Sequence, residues 1–248
     1  MRVSVITAVY NGAAYVADCI DSVKRQNYSN IEHVIIDGGS NDGTLEIIND
    51  KNEETVVLSE PDRGVYDGMN KGIRLATGDI VGMLNADDMY YDENVVSEIV
   101  NCFQKNPQID CMFGNLEYVD RDDIDKVTRR WFSRPFEDGL FARSWTPAHP
   151  TFYCRRELYE KYGAYRLDFE IAADVELMYR FLQCHKVESL YLPRIMVRMR
   201  KAGISNMGVG YTIKITKEVR KAFKENADSF NLIIYLFHKA LKTRQWTL

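Results

Sequence analysis

The chain has 248 residues, 46% apolar and 27% charged, with a formal net charge of −4. That length buries one sizeable core, and those fractions exclude a disordered or fibrous chain. The acidic balance excludes a general nucleic-acid binder, whose footprint is basic.

Val3 to Val9 is a β-branched run ended by Asn11-Gly12 and reads as a buried strand. Val16, Ile20 and Val23 then recur at helical spacing. Ile31 to Ile36 is a second strand, closed by Asp37-Gly38-Gly39-Ser40, and Thr44 to Asp50 reads as a short helix. Thr55 to Leu58 is a third strand. Val65, Met69 and Ile73 stripe a helix that stops near Gly78. Ile80 to Leu84 is a fourth strand running into Asn85-Ala86-Asp87-Asp88, and Val95 to Phe103 mark the next helix. This alternation predicts a mainly parallel sheet covered by helices on both faces. The polar clusters at Thr7–Asn11, Asp37–Gly43 and Asn85–Asp88 then meet at the carboxyl edge of that sheet, where such folds bind ligands.

The second half is less regular. Cys111-Met112-Phe113 and Thr151-Phe152-Tyr153 look like strands, as do Tyr191-Leu192 and Ile195 to Met199. Ile171, Val175, Met178 and Leu182 form a helical stripe, and residues 211–243 read as one or two terminal helices. No linker, repeat or low-complexity segment divides the chain. Five cysteines form no CxxC pair, which fits a reducing compartment and no zinc ribbon. Nothing resembles a signal peptide or a spanning helix, so a cytoplasmic protein is expected.

Asp87 and Asp88 are adjacent carboxylates just past a buried strand. Like charges there repel, and a hard divalent cation with oxygen ligands relieves them. Alone, the pair reads equally as a solvated turn or a helix start. Asp37-Gly38-Gly39-Ser40 offers a carboxylate at a strand end and a backbone that turns tightly. It is no dinucleotide fingerprint, because it follows the second strand, and no P-loop exists. Arg63 and Lys71 flank a helix N-terminus, where anions are favoured.

Ser4 to Asn11, Asp37-Gly38-Gly39-Ser40 with Asp42-Gly43-Thr44, Arg63-Gly64 with Asn70-Lys71-Gly72, Ala76-Thr77-Gly78-Asp79, and Asn85-Ala86-Asp87-Asp88 form an ordered ladder. It resembles the motif series of family-2 inverting glycosyltransferases of the GT-A fold, over about residues 2–90 and more weakly to about 205. Bacterial enzymes of O-antigen, capsule and exopolysaccharide synthesis look most similar. The resemblance implies an α/β fold with a mainly parallel central sheet and a C-terminal helical extension. It implies a nucleotide-binding half over 1–90, an acceptor half over 91–206 and an extension over 207–248.

Carried over by position, Thr7, Tyr10 and Asn11 match the loop around the nucleotide. Asp37, followed by Gly38, matches the carboxylate that reads the base, usually uracil. Arg63 and Asn70 match the segment beside the donor phosphates and sugar. Asp87 and Asp88 match the DXD-type metal motif for Mn²⁺ or Mg²⁺, with Asp88 the better ligand; Asn85 departs from the usual first aspartate. Asp174, in Ile171 to Leu177, matches the base that deprotonates the acceptor hydroxyl, with Asp168 and Glu170 as runners-up. His149, in Ala148-His149-Pro150-Thr151-Phe152, matches the acceptor strand, and serves as well as a core histidine. Trp145, Tyr165 and Phe169 suit sugar stacking or, more often, core packing. Arg198 to Asn206 resembles the segment that closes over the donor.

The implied partners are a nucleotide-sugar donor, UDP-linked first, and a glycan or undecaprenyl-linked acceptor, with no nucleic acid. Phe230 to Leu241 is apolar but too short to span a bilayer. It suits a helix on the inner face of the cell membrane, one packed on the domain, or a homodimer contact. Two rival functions share the fold. A sugar-nucleotide nucleotidyltransferase usually carries a glycine- and arginine-rich loop where this chain has Ala8-Val9-Tyr10-Asn11-Gly12. A non-catalytic carbohydrate-binding protein has no need of Asp37, Asp87, Asp88 and Asp174 together.

Overall fold

The computed structural model describes residues 1–51, 55–201, 209–226 and 229–242. Strands β1 (Val3–Val9), β2 (Ile31–Asp37), β3 (Thr55–Ser59) and β4 (Ile80–Met83) pair in parallel in the order β3-β2-β1-β4. Helices α1 (Val16–Lys24), α2 (Thr44–Asp50) and α3 (Val65–Leu75) connect them. Parallel neighbours need a crossover rather than a hairpin, so all four carboxyl ends open on one edge. β1, β2 and β4 are apolar on both faces because both faces are covered, and they are buried almost throughout.

The remaining sheet is mixed. It adds β5 (Met89–Tyr90), β6 (Cys111–Val119), β7 (Val127–Trp131), β8 (Tyr153–Arg155) and β9 (Ser189–Arg200). β8 inserts antiparallel between β4 and β6, β9 runs parallel to β6, and β5 lies antiparallel on β9. The nine strands thus run β3-β2-β1-β4-β8-β6-β9-β5, with β7 paired to β6. The two late apolar runs form one strand, β9. Proline cannot donate to a ladder, and the β6–β9 register jumps where Pro193 falls, between Phe113↔Tyr191 and Asn115↔Ile195. The strand expected from Thr151 starts only at Tyr153, because Pro150 sits in a 3₁₀ turn over His149–Thr151.

Helices α4 (Val95–Lys105), α5 (Glu157–Tyr162) and α6 (Ala173–Tyr179) complete the body, and α6 runs on into a π-helical turn at Arg180–Cys184. The terminal segment forms two helices, α7 (Val209–Glu225) and α8 (Leu232–Lys242). α7 belongs to the main core: Val219, Ala222 and Phe223 are buried in it, and Phe223 stacks on Tyr179 with ring centroids 4.4 Å apart. α8 contributes Tyr235 to the same cluster and leaves Ile233, Leu236 and Phe237 exposed. Among the described residues no helix is long and apolar enough to cross a membrane. The expected closing segment is described only through Lys201, at the end of β9; residues 202–206 and the 206/207 boundary lie outside the described residues.

Candidate active site at the carboxyl edge of the sheet

The loops after β1 and β2 are laced together by the chain itself. Asn11 adopts φ 51°, a left-handed conformation that asparagine tolerates. Its N–H donates to Ser40 Oγ at 2.8 Å, and its Oδ1 accepts from the Asn41 N–H at 3.0 Å. The Gly12 N–H donates to Thr44 Oγ1 at 2.8 Å and the Ala13 N–H to Asp42 Oδ2 at 3.1 Å. Tyr10 projects from this lacing, 63% exposed. Thr7 does not line the surface: its buried hydroxyl donates to the Leu84 carbonyl at 2.8 Å and lies 3.0 Å from His33 Nε2. Burial pushes the His33 imidazole down to about 3, so it is neutral and its N–H donates to that hydroxyl.

Asp37 closes β2 with its carboxylate buried. It accepts from Ser59 Oγ at 2.6 Å and from the Ser40 N–H at 3.2 Å. Gly38 follows where a side chain would collide, since a Cβ there would lie 2.6 Å from Asp62 Oδ2. Gly64 starts α3 at φ 111° and ψ 171°, a region open to glycine almost alone. Arg63 is largely exposed and pairs with Asp67 at 3.3 Å, which holds that carboxyl below its usual range. Lys71 is buried against the Pro61 carbonyl at 2.8 Å and Glu60 at 2.9 Å, where it braces this loop. Asn70 is buried too. Its Oδ1 accepts from the Tyr165 N–H at 2.9 Å and its Nδ2 donates to the Tyr165 carbonyl at 2.8 Å, tying the two halves of the molecule together.

The acidic pair follows β4. Asp88 is fully buried, and its Oδ2 accepts from Asn85 Nδ2 at 2.7 Å. Its Oδ1 has no hydrogen-bond partner. Burial, then the Asp87 charge, drive the Asp88 carboxyl well above its usual range, against the Asn85 hydrogen bond and nearby Arg200. Burial also raises Asp87, again against Arg200 and Arg121. Arg200, at the end of β9, donates to the Asp87 carbonyl at 3.0 Å, pairs with Asp18 and lies over the Tyr15 ring at 4.7 Å. A carboxylate oxygen buried without a donor is costly unless a cation is bound, and this all-oxygen donor pair suits a hard divalent ion. Among the described residues no set of three His, Cys, Asp or Glu side chains converges, so the protein's own ligands at this edge would be these two carboxylates.

The second cluster centres on Asp174, in the first turn of α6. The Tyr66 hydroxyl, from the start of α3, donates to the Ile171 carbonyl at 2.8 Å and lies 3.1 Å from Asp174 Oδ1. Burial and the Asp174 charge keep Tyr66 a phenol. The Tyr66 ring stacks on Tyr165 at 5.6 Å, and the Tyr165 hydroxyl meets His149 Nε2 at 2.7 Å. Burial lowers the His149 pKa, with Asp174 opposing, so this imidazole is neutral at neutral pH. Asp168 is ion-paired to Arg166 at 2.6 Å and to Lys221, and Glu170 to Lys214; both engage other chain groups rather than Tyr66. Trp145 and Phe169 are buried in the core, as is Tyr165.

Three participants escaped sequence reading: Tyr66, Arg200 as a neighbour of Asp87, and Glu218, whose carboxylate accepts from the backbone N–H groups of Glu170, Ile171 and Ala172. Tyr66 lay within the Arg63–Gly72 motif and could have been flagged there. Arg200 lay within the Arg198–Asn206 segment, but its place beside Asp87 did not show there, and Glu218 carries no local signal, because their partners are more than 40 residues distant.

A parallel α/β half with its polar loops on one edge, an acidic pair at that edge and a separate carboxylate on the facing half define a glycosyltransferase of the GT-A type. The family model described as glycosyl transferase family 2 matches residues 4–163, and the chain belongs to that family. It is similar to a "PGL/p-HBAD biosynthesis glycosyltransferase" of Mycobacterium bovis (strain BCG / Pasteur 1173P2), 28% identical over 215 residues, covering 82% of this chain and 78% of the relative. Its fold is similar to that of the mannosyltransferase PcManGT from Pyrobaculum calidifontis in complex with GDP-Man and Mn²⁺. That match has TM-score 0.68 and 20% identity over 96% of this chain and 69% of the other. It is also similar to Staphylococcus aureus TarS 1-349 in complex with UDP-GlcNAc, with TM-score 0.67 and 16% identity over 90% of this chain, which spans 66% of that one.

Proposed function

We propose that this glycosyltransferase moves a sugar, with inversion, from a nucleotide-diphosphate donor to a hydroxyl of a glycan or lipid-linked oligosaccharide in bacterial surface polysaccharide synthesis. UDP-sugars are favoured, because Asp37 matches the carboxylate that pairs with uracil in the family; the GDP-mannose bound by PcManGT makes GDP-sugars the rival. Residues 1–90 would hold the donor, 91–206 the acceptor, and 207–248 form a helical extension. Tyr10, Asn11, Asp37 and Gly38 would surround the nucleotide, with Arg63 beside the phosphates. Thr7 and Asn70, both buried, would shape that site from behind.

The observation that carries the reading is Asp88: a buried carboxylate with one oxygen unpartnered, beside a second carboxylate, at the ligand edge of the sheet. Asp88 and Asp87 would hold Mn²⁺ or Mg²⁺. Such an ion, when bound, offsets the charge growing on the departing diphosphate. The rest falls to the chain. Asp174 accepts the proton of the acceptor hydroxyl as its oxygen bonds to the anomeric carbon, and the bond from that carbon to the diphosphate oxygen breaks with its electron pair on the diphosphate. Neutral His149 and the phenol of Tyr165 would border the acceptor side of Asp174.

Calorimetric titration with UDP and GDP, with and without Mn²⁺, tests the donor site. Metal-dependent UDP binding in the wild type and its loss in Asp88→Ala are expected. Equal binding by Asp88→Ala, or binding indifferent to metal, would overturn the assignment of Asp88.

A further inference from the structure

The segment that delivers Asp174 is not held by its own helix. The N–H groups of Glu170, Ile171 and Ala172 precede α6 and take no part in its ladder, so they need acceptors from elsewhere. Glu218 of α7 supplies them. One Oε accepts from the Glu170 N–H at 3.0 Å, and the other accepts from Ile171 at 3.0 Å and Ala172 at 2.8 Å. The Ile171 carbonyl in turn accepts from the Tyr66 hydroxyl, which also touches Asp174. The three residues before α6 are therefore gripped at their N–H groups by α7 and at a carbonyl by α3. Lys214 on Glu170 and Lys221 on Asp168 extend the same α7 contact along the segment. α7 lies beyond the residues matched by the family model.

We propose that Glu218 is a positioning residue for sugar transfer: its carboxylate fixes the 170–172 backbone and thereby sets the distance between Asp174 and Tyr66. The inference rests on Asp174 being the base. Its physical basis is that two oxygens satisfy three donors, which a neutral amide cannot do with its single acceptor oxygen. In Glu218→Gln at least one N–H loses its partner and the segment relaxes, while the donor site on the far half keeps every contact. Small displacements of a base from its target cost rate steeply and leave ground-state donor binding untouched.

The test uses the whole chain and donor hydrolysis in Mn²⁺, where water replaces the acceptor and still needs a base. The substrate is whichever of UDP-glucose, UDP-galactose, UDP-GlcNAc and GDP-mannose the wild type turns over fastest. Glu218→Gln is expected to lower kcat at least tenfold with donor KM within twofold of wild type. Glu218→Asp, which keeps both oxygens, is expected to recover part of that loss. Lys217→Ala, exposed and one residue away on α7, is the control at wild-type rate. Hydrogen exchange should show faster exchange at residues 170–172 in Glu218→Gln, with the strand amides unchanged. Wild-type kcat in a folded Glu218→Gln would overturn the proposal. So would a parallel fall of kcat, donor binding and thermal stability, which marks a general brace. Asp174→Asn separates the two readings. If it abolishes hydrolysis while Glu218→Gln does not alter it, only the Glu218 role fails; if it turns over at the wild-type rate, both fall.

Discussion

At the residue scale, the site is a set of side chains whose burial decides their chemistry. Asp88 and Asp37 share the same edge and both are buried, yet they differ in partners. Asp37 is satisfied by Ser59 and the Ser40 backbone, whereas Asp88 Oδ1 has nothing. A satisfied carboxylate is ready to read a neutral ligand; an unsatisfied one asks for a cation. Tyr66 is the complementary case, a phenol held by burial beside a carboxylate, where it donates a hydrogen bond and not a charge. Tyr66→Phe removes that bond while keeping the stack on Tyr165. The shorter bond goes to the neutral Ile171 carbonyl, and such a bond is worth about 0.5–1.5 kcal/mol, so kcat for donor hydrolysis should fall up to about tenfold with nucleotide affinity unchanged. Full activity in Tyr66→Phe would remove Tyr66 from the site. Of the family-matched positions, Tyr10, Asn11, Asp37, Asp87 and Asp88 lie at the carboxyl edge, as their places at strand ends require. Thr7 and Asn70 carry the same motif identity, but their side chains point into the protein. A motif is legible from one chain, while the direction of each side chain depends on neighbours that the motif does not contain.

At the element scale, α3 and α7 do the joining. α3 follows the parallel strand β3 and bonds the later part of the chain twice, through Asn70 to Tyr165 and through Tyr66 to Ile171. α7 returns from the far end of the chain to hold the segment ahead of α6. Its ion pairs include Lys221 with Asp168, which Arg166 also engages. Arg166, then Lys221, hold the Asp168 carboxyl below its ordinary range. A folded-state value below the unfolded one means that these pairs add stability above the ordinary carboxylate value near 4 and lose it as the pH falls below that. Wild type should therefore have a higher Tm than Asp168→Asn at pH 6–7, and the gap should start to narrow as the pH falls below about 4 and keep narrowing toward the depressed folded-state value. A gap that stays constant or widens as the pH falls below about 4 would mean that Asp168 acts through packing instead of charge. The helical stripe through Ile171–Leu182 was legible as an element, but its π-helical end and its borrowed cap were not, because both arise from contacts with distant residues.

At the scale of the whole molecule, the extension is partly core and partly surface. α7 buries Val219, Ala222 and Phe223 with the body, but α8 shows Ile233 at 80% and Phe237 at 61% exposure, with Leu236 between them. Large apolar groups clustered on one helix face mark a contact surface. The lipid-linked acceptor proposed above suits a membrane leaflet, and the expected outcome is co-flotation of the protein with vesicles containing anionic lipid, lost in Ile233→Asp/Phe237→Asp. No flotation together with a concentration-dependent dimer that the same variant dissolves would assign the face to a second copy instead.

The sequence alone determined the parallel half, the order of its strands along the chain, the polar loops at their carboxyl ends and the family. Those follow from short-range signals: apolar period, turn residues and motif spacing. Only the tertiary structure decided which motif residues face the ligand edge, how antiparallel β8 joins the two halves, that Asp88 is left with a bare oxygen, and that Tyr66 and Glu218 converge on the segment carrying Asp174. Each of these depends on residues far apart in the chain meeting in space, and burial and hydrogen-bond satisfaction exist only once they have met.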